Sequence, residues 1–116
     1  MIKTEVLSIG KQALNKKDNL VILFGPEVST RLKDVSVIQK IEQADSFKIT
    51  TQMTLTIDDQ TYNIAHVGEL VENNFQDIHH TVLVFAPVSS EPRSNAIYLT
   101  PTDFPEIKVG SQIIIK

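Results

Sequence analysis

Apolar residues in this chain come in short runs and at every second position. Met53, Leu55 and Ile57 alternate with polar neighbours, and Tyr62, Ile64 and His66 share one side of a second run after Asp58–Asp59–Gln60. A period of two marks a strand with one buried face. Met53–Val67 is therefore predicted as an antiparallel hairpin turning at Asp58–Gln60. Enrichment in Val, Ile, Thr and Phe extends the strand prediction to Glu5–Ile9, Leu20–Phe24, Val35–Ile41, Phe47–Ile57, Thr61–Val67, Thr81–Ala86, Ala96–Thr100 and Ile107–Ile115. Gly25–Pro26, Pro87, Pro92, Pro101 and Pro105 separate them, since proline cannot donate to a ladder. Helical candidates are short: Lys11–Lys16, and Glu69–Asp77 with Leu70 and Phe75 as apolar anchors.

Short strands with little helix predict an all-β sandwich or barrel. Leu20–Phe24 and Thr81–Ala86 are apolar on both faces. That suits a small closed or partly open β-barrel of about seven or eight short strands with one or two helical turns. A chain of 116 residues is expected to form one domain, 1–116, around one core.

Composition removes several functions. A net charge of −3, with Lys16–Lys17 the only basic doublet, disfavours nucleic acid and anionic membrane as partners. Without cysteine there is no disulfide, thiolate metal site or Cys nucleophile. No apolar run is long enough to span a membrane, and the first residues lack a signal peptide's features. The cytoplasm is the expected compartment. No His-x-x-x-His pattern, calcium loop or glycine-rich phosphate loop is present, so neither metal nor cofactor is expected.

Candidate chemistry then falls to His66, His79 and His80. His66 is predicted to share a strand face with Tyr62 and Ile64, as a backbone-bonded strand histidine or as part of a mouth. His79 and His80 open an apolar strand and should face opposite ways. His80 either fixes the strand entrance by a hydrogen bond or reacts. Gln39 is the polar member of a face otherwise made by Val35, Val37 and Ile41, and a buried amide there needs partners.

The order Tyr62, Val67–Gly68, Glu72, Asn73–Asn74, His80 and Phe85 resembles the glucitol/sorbitol-specific IIA component of the bacterial sugar phosphotransferase system (PTS). Ile9–Gly10 leading to Leu20–Phe24, and Val109–Gly110–Ser111 before a last apolar strand, extend the likeness over most of the chain. The resemblance implies a compact β-barrel that takes a phosphoryl group from the histidine phosphocarrier protein. It then passes that group to a Cys of a sugar-specific IIB, with membrane contact only through the IIB/IIC permease. In that family the reactive His lies in a strand reading aromatic-Ile-His-x-His-Gly-Glu. The matching strand here is Val37–Gln43, in which Ile38 fits, the first His falls on Gln39 and the second on Ile41. A neutral amide has no basic lone pair to accept phosphate. The expected site is thus Gln39 as the vacated position, with His80 first and His66 second as replacement carriers. The alternative is a non-catalytic interaction or ligand-binding barrel derived from the same family.

Overall fold

A computed structural model describes all residues, 1–116. Eight strands form: β1 (Ile2–Ile9), β2 (Leu20–Phe24), β3 (Val37–Ala44), β4 (Thr54–Ile57), β5 (Gln60–Val67), β6 (Thr81–Val84), β7 (Ala96–Thr100) and β8 (Gln112–Ile115). The helices are α1 (Thr30–Lys33) and α2 (Val71–Ile78). The strands close in the order β1-β3-β2-β6-β7-β5-β4-β8, with β8 returning to β1. Closure pairs strand edges that would otherwise stand open. The barrel is mixed, because β2 runs parallel to β3 and β6 parallel to β7.

The interior is aliphatic, as a chain without Trp requires. Leu23, Leu55, Leu83, Ile97 and Leu99 are fully buried, and Val71 and Phe75 of α2 join them in one core. Phe75 meets Phe47 at 5.8 Å between ring centroids, and Tyr62 meets Phe85 edge-on at 5.1 Å. Burial, and then the charge of Asp103, push the Tyr62 phenol above its ordinary pKa, and its O–H donates to the Asp103 carbonyl. A smaller cluster of Val82, Val84, Ala96 and Tyr98 makes β6 and β7 apolar on their second face as well.

The predicted hairpin forms, with β4 against β5 and Leu55 opposite Tyr62. Asp58 turns it in a left-handed conformation (φ 54°), which Asp tolerates through local hydrogen bonding. β2 and β7 match their predicted bounds.

Several boundaries differ, each for a local reason. Phe47–Met53 is not strand; the side chains of Ser46 and Thr50 accept from the backbone N–H of Lys48 and Gln52. Such local bonds compete with a ladder. Ile107–Ser111 also leaves the sheet, because Gly110 takes φ +92° and Ser111 N–H closes a turn on Lys108. Lys11–Lys16 does not become helix. A 3-10 turn over Lys16–Asp18 takes its place, capped by the Asn15 side chain and ended by left-handed Asn19. The sequence reading missed α1, whose cap is Ser29. α1 occupies the approach to β3, which starts at Val37 and runs on to Ala44.

One polar lock ties the hairpin to the closing strand. Ser111 Oγ donates to Asp58 Oδ2 at 2.7 Å, and Gln112 N–H donates to Oδ1 at 3.0 Å. The Gln112 backbone bond, then the Ser111 hydroxyl, hold the Asp58 carboxyl below its ordinary pKa against a smaller opposing effect of burial. A depressed carboxyl stabilises the fold above its unfolded pKa of about 3.9 and loses that contribution as pH falls through the folded value. Asp58→Asn, which keeps the left-handed preference, is expected to lower the urea midpoint at neutral pH. It should also flatten the acid limb of a stability-versus-pH curve relative to the unaltered protein.

Candidate functional site

The site is built where α2 ends and β6 begins. α2 stops because His79 takes a left-handed conformation (φ 55°, ψ 32°), with its N–H turned back on the last helical carbonyls. Opposite it, Gly25 leaves the room this needs: a Cβ there would lie 2.9 Å from His79 Nδ1. The chain then reverses, and His80 enters the barrel wall beside the end of β2.

His80 is 9% exposed, and its ring stacks on Phe24 with centroids 4.0 Å apart and planes 15° from parallel. His80 Nδ1 lies 2.9 Å from the Leu23 carbonyl oxygen, and Nε2 lies 3.3 Å from Asn95 Nδ2. A carbonyl oxygen only accepts, so Nδ1 carries the proton. In the neutral ring Nε2 then holds the lone pair, and the Asn95 amide donates to it. Both ring nitrogens are thereby assigned by their partners.

Gln39 lies beside this junction. It is fully buried; Thr4 Oγ1 donates to its Oε1 at 2.7 Å, and its Nε2 donates to the His79 carbonyl at 3.2 Å. The amide therefore joins β1 and β3 to the residue that turns α2 into β6. Its side chain stands neither in solvent nor on a cleft. It sits one hydrogen bond behind a cleft of about 440 Å³ that His79 lines with Gly25–Val28, Asp77 and Ile78.

The structure thus brings Gln39, His79 and His80 together and leaves His66 elsewhere. The expectation that His66 shares a face with Tyr62 and Ile64 is corrected by a bulge. Ile64 pairs with Leu99 and His66 with Tyr98, so Ala65 is an extra residue on β5. An extra residue reverses the alternation beyond it. Ile64 stays in the core, while His66 meets Tyr98 edge-on at 5.8 Å and lines a separate cleft of about 300 Å³ with Gly68, Arg93 and Ser94. Lys40, next to Gln39 on β3, pairs with Glu5 at 3.5 Å. The residue that sequence reading missed is Asn95. Its only signal is its position, next to His80 in space and just before an apolar strand in sequence. No three His, Asp or Glu side chains converge as metal ligands.

Fold and site together define a small closed barrel with one buried, tautomer-fixed imidazole at a helix-to-strand junction. Comparison with known proteins adds the family. The family of PTS glucitol/sorbitol-specific IIA components matches residues 1–114, and the chain belongs to it. The crystal structure of a PTS system IIA component from Enterococcus faecalis V583 is similar at 33% identity, over 97% of both chains, with a TM-score of 0.92. A comparison with curated proteins finds no match. No helix is long and apolar enough to cross a membrane.

The Gln39 clamp makes a stability prediction. Gln39→Ala strands the buried Thr4 hydroxyl, takes the side-chain donor from the His79 carbonyl and leaves a cavity. It should cost about 2–4 kcal/mol in urea denaturation, from lost buried hydrogen bonds and lost packing together. A cost below that of an ordinary surface substitution would mean that the clamp contributes nothing.

Proposed function

We propose that this chain works in glucitol/sorbitol-type PTS sugar uptake as a slow phosphoryl carrier, with the carrier role on His80 and not at the β3 position of the family's reactive His. Its partners are the histidine phosphocarrier protein on one side and a sugar-specific IIB on the other, both in the cytoplasm. The observation that carries this reading is the bond from His80 Nδ1 to the Leu23 carbonyl, which leaves Nε2 as the nucleophilic nitrogen.

The transfer balances simply. The Nε2 lone pair forms a bond to phosphorus while the bond from phosphorus to the carrier's imidazole nitrogen breaks, and that nitrogen keeps the electron pair. The proton on Nδ1 stays, so the phosphorylated ring carries a positive charge that the Leu23 carbonyl stabilises. A cationic ring is a good leaving group, which favours onward transfer to a thiolate. Phe24 holds the ring plane. Slowness follows from burial, since a partner's phosphoryl group must reach a residue that is only 9% exposed.

A second reading has its own support. Gln39 is fully buried with both polar ends occupied, as a residue given over wholly to structure would be. On that reading the barrel is an interaction or ligand-binding module without catalysis.

Incubation with phosphoenolpyruvate, the general PTS enzyme I and the phosphocarrier protein, followed by intact mass, separates the two. The expected result is slow incorporation of one acid-labile, base-stable phosphoryl group, abolished by His80→Gln and kept by His66→Gln and His79→Gln. No incorporation after long incubation supports the non-catalytic module. Fast labelling of Gln39→His, with none on the unaltered protein, would place the lost chemistry at position 39.

A further inference from the structure

The one hydrogen-bond partner of His80 Nε2 is the Asn95 side chain, and that bond bears on access to the nitrogen. We propose that the Asn95 amide is a removable cap on His80 Nε2: it holds the nucleophilic nitrogen closed at rest and uncovers it by side-chain rotation. This rests on the assignment of the Nε2 lone pair and deepens the His80 reading, though the cap itself requires no phosphoryl transfer.

Asn95 has two attachments of different kinds. Its backbone is fixed: the carbonyl accepts from Val82 N–H at 3.1 Å and from Thr81 Oγ1 at 3.4 Å. Neighbouring backbone is also held, with Arg93 N–H donating to the Tyr98 hydroxyl at 2.9 Å and Leu70 N–H to the Ser94 carbonyl at 2.8 Å. The side chain, by contrast, makes one hydrogen bond, the 3.3 Å contact to His80 Nε2. That bond is long for N–H···N and is the weakest on the ring. The bond on the other nitrogen, 2.9 Å to Leu23 in a buried wall, is the stronger one. The ring therefore stays in place when the cap leaves. Asn95 is half-buried at the surface end of this contact, so water can take its amide when it swings out.

The cap also matches the ring's tautomer. An amide N–H₂ facing Nε2 donates only to a lone pair, which matches a ring whose proton sits on Nδ1. Replacing the donor by an acceptor breaks that match. Asn95 is thus a positioning residue, which acts through His80.

Diethyl pyrocarbonate tests this on the full chain. It reacts with unprotonated imidazole nitrogen, forming a nitrogen–carbonyl bond as ethyl carbonate leaves and the other ring nitrogen gives up its proton. Fragment-ion mass spectrometry of the labelled peptides gives a rate for each histidine, with adjacent His79 and His80 resolved. Asn95→Ala keeps every backbone bond and removes the cap. It should raise the His80 rate about five- to tenfold, the ratio one modest hydrogen bond is worth. His66 and His79 act as internal references and should not change. Asn95→Asp places an acceptor against Nε2, draws a proton onto it, and should slow His80 below the unaltered protein at neutral pH. Opposite shifts in two variants of equal thermal stability are not what general loosening produces. Equal His80 rates in all three proteins, a rise in both variants, or a His80 that reacts in none of them would overturn the cap. If Asn95→Ala and Asn95→Asp shift the rate as described while the PTS assay gives no phosphohistidine, the cap stands and the carrier reading falls.

Discussion

The buried amide of Gln39 fixes the geometry on which the rest of the site depends. With no exposure to water it must find protein partners for both its oxygen and its nitrogen. It takes the Thr4 hydroxyl on β1 and the His79 carbonyl at the end of α2. That second bond holds the left-handed residue at which the helix turns into β6. The next residue is His80, so the amide sets where the imidazole enters the barrel wall. The Leu23 carbonyl and the Phe24 ring then fix its tautomer and its plane. The amide of one strand thus positions the imidazole that opens another.

How much of this was legible beforehand depends on the range of the interaction. Strands such as Leu20–Phe24 and Ala96–Thr100 are written in local composition, and the hairpin at Asp58 in local alternation. Their identities and most of their bounds follow from the sequence. Phe47–Met53 looked like strand because its residues have strand propensity. Two side-chain turns at Ser46 and Thr50 override that preference, and nothing in composition ranks the two. His66 went to the wrong face because a single bulge at Ala65 reverses the alternation, and bulges leave little trace in a period-two pattern. Asn95 was invisible as a site residue. It meets His80 only after β6 and β7 come together in parallel, a long-range pairing with no local signature.

Gln39 is the contrasting case. A lone polar residue on an apolar strand face signals burial with partners, and that signal was sound. The sequence could not say whether it served a cleft or the interior, because both demand the same hydrogen bonding. Family membership, shown over residues 1–114, makes the residue notable, since an amide cannot take phosphate on nitrogen. The α2–β6 junction is where the fold brings this amide together with two of the three histidines, His79 and His80.

The central claim is that the His80 ring is held with its proton on Nδ1 and its lone pair on Nε2. Two-bond ¹⁵N–¹H spectra of the imidazoles in the unaltered protein at neutral pH test it directly. The account predicts a pyrrole-like nitrogen at His80 Nδ1, a pyridine-like nitrogen at Nε2, and an Nδ1 proton protected from exchange by the Leu23 carbonyl. A His80 ring with its proton on Nε2, or one averaging between tautomers as a free histidine does, would contradict it.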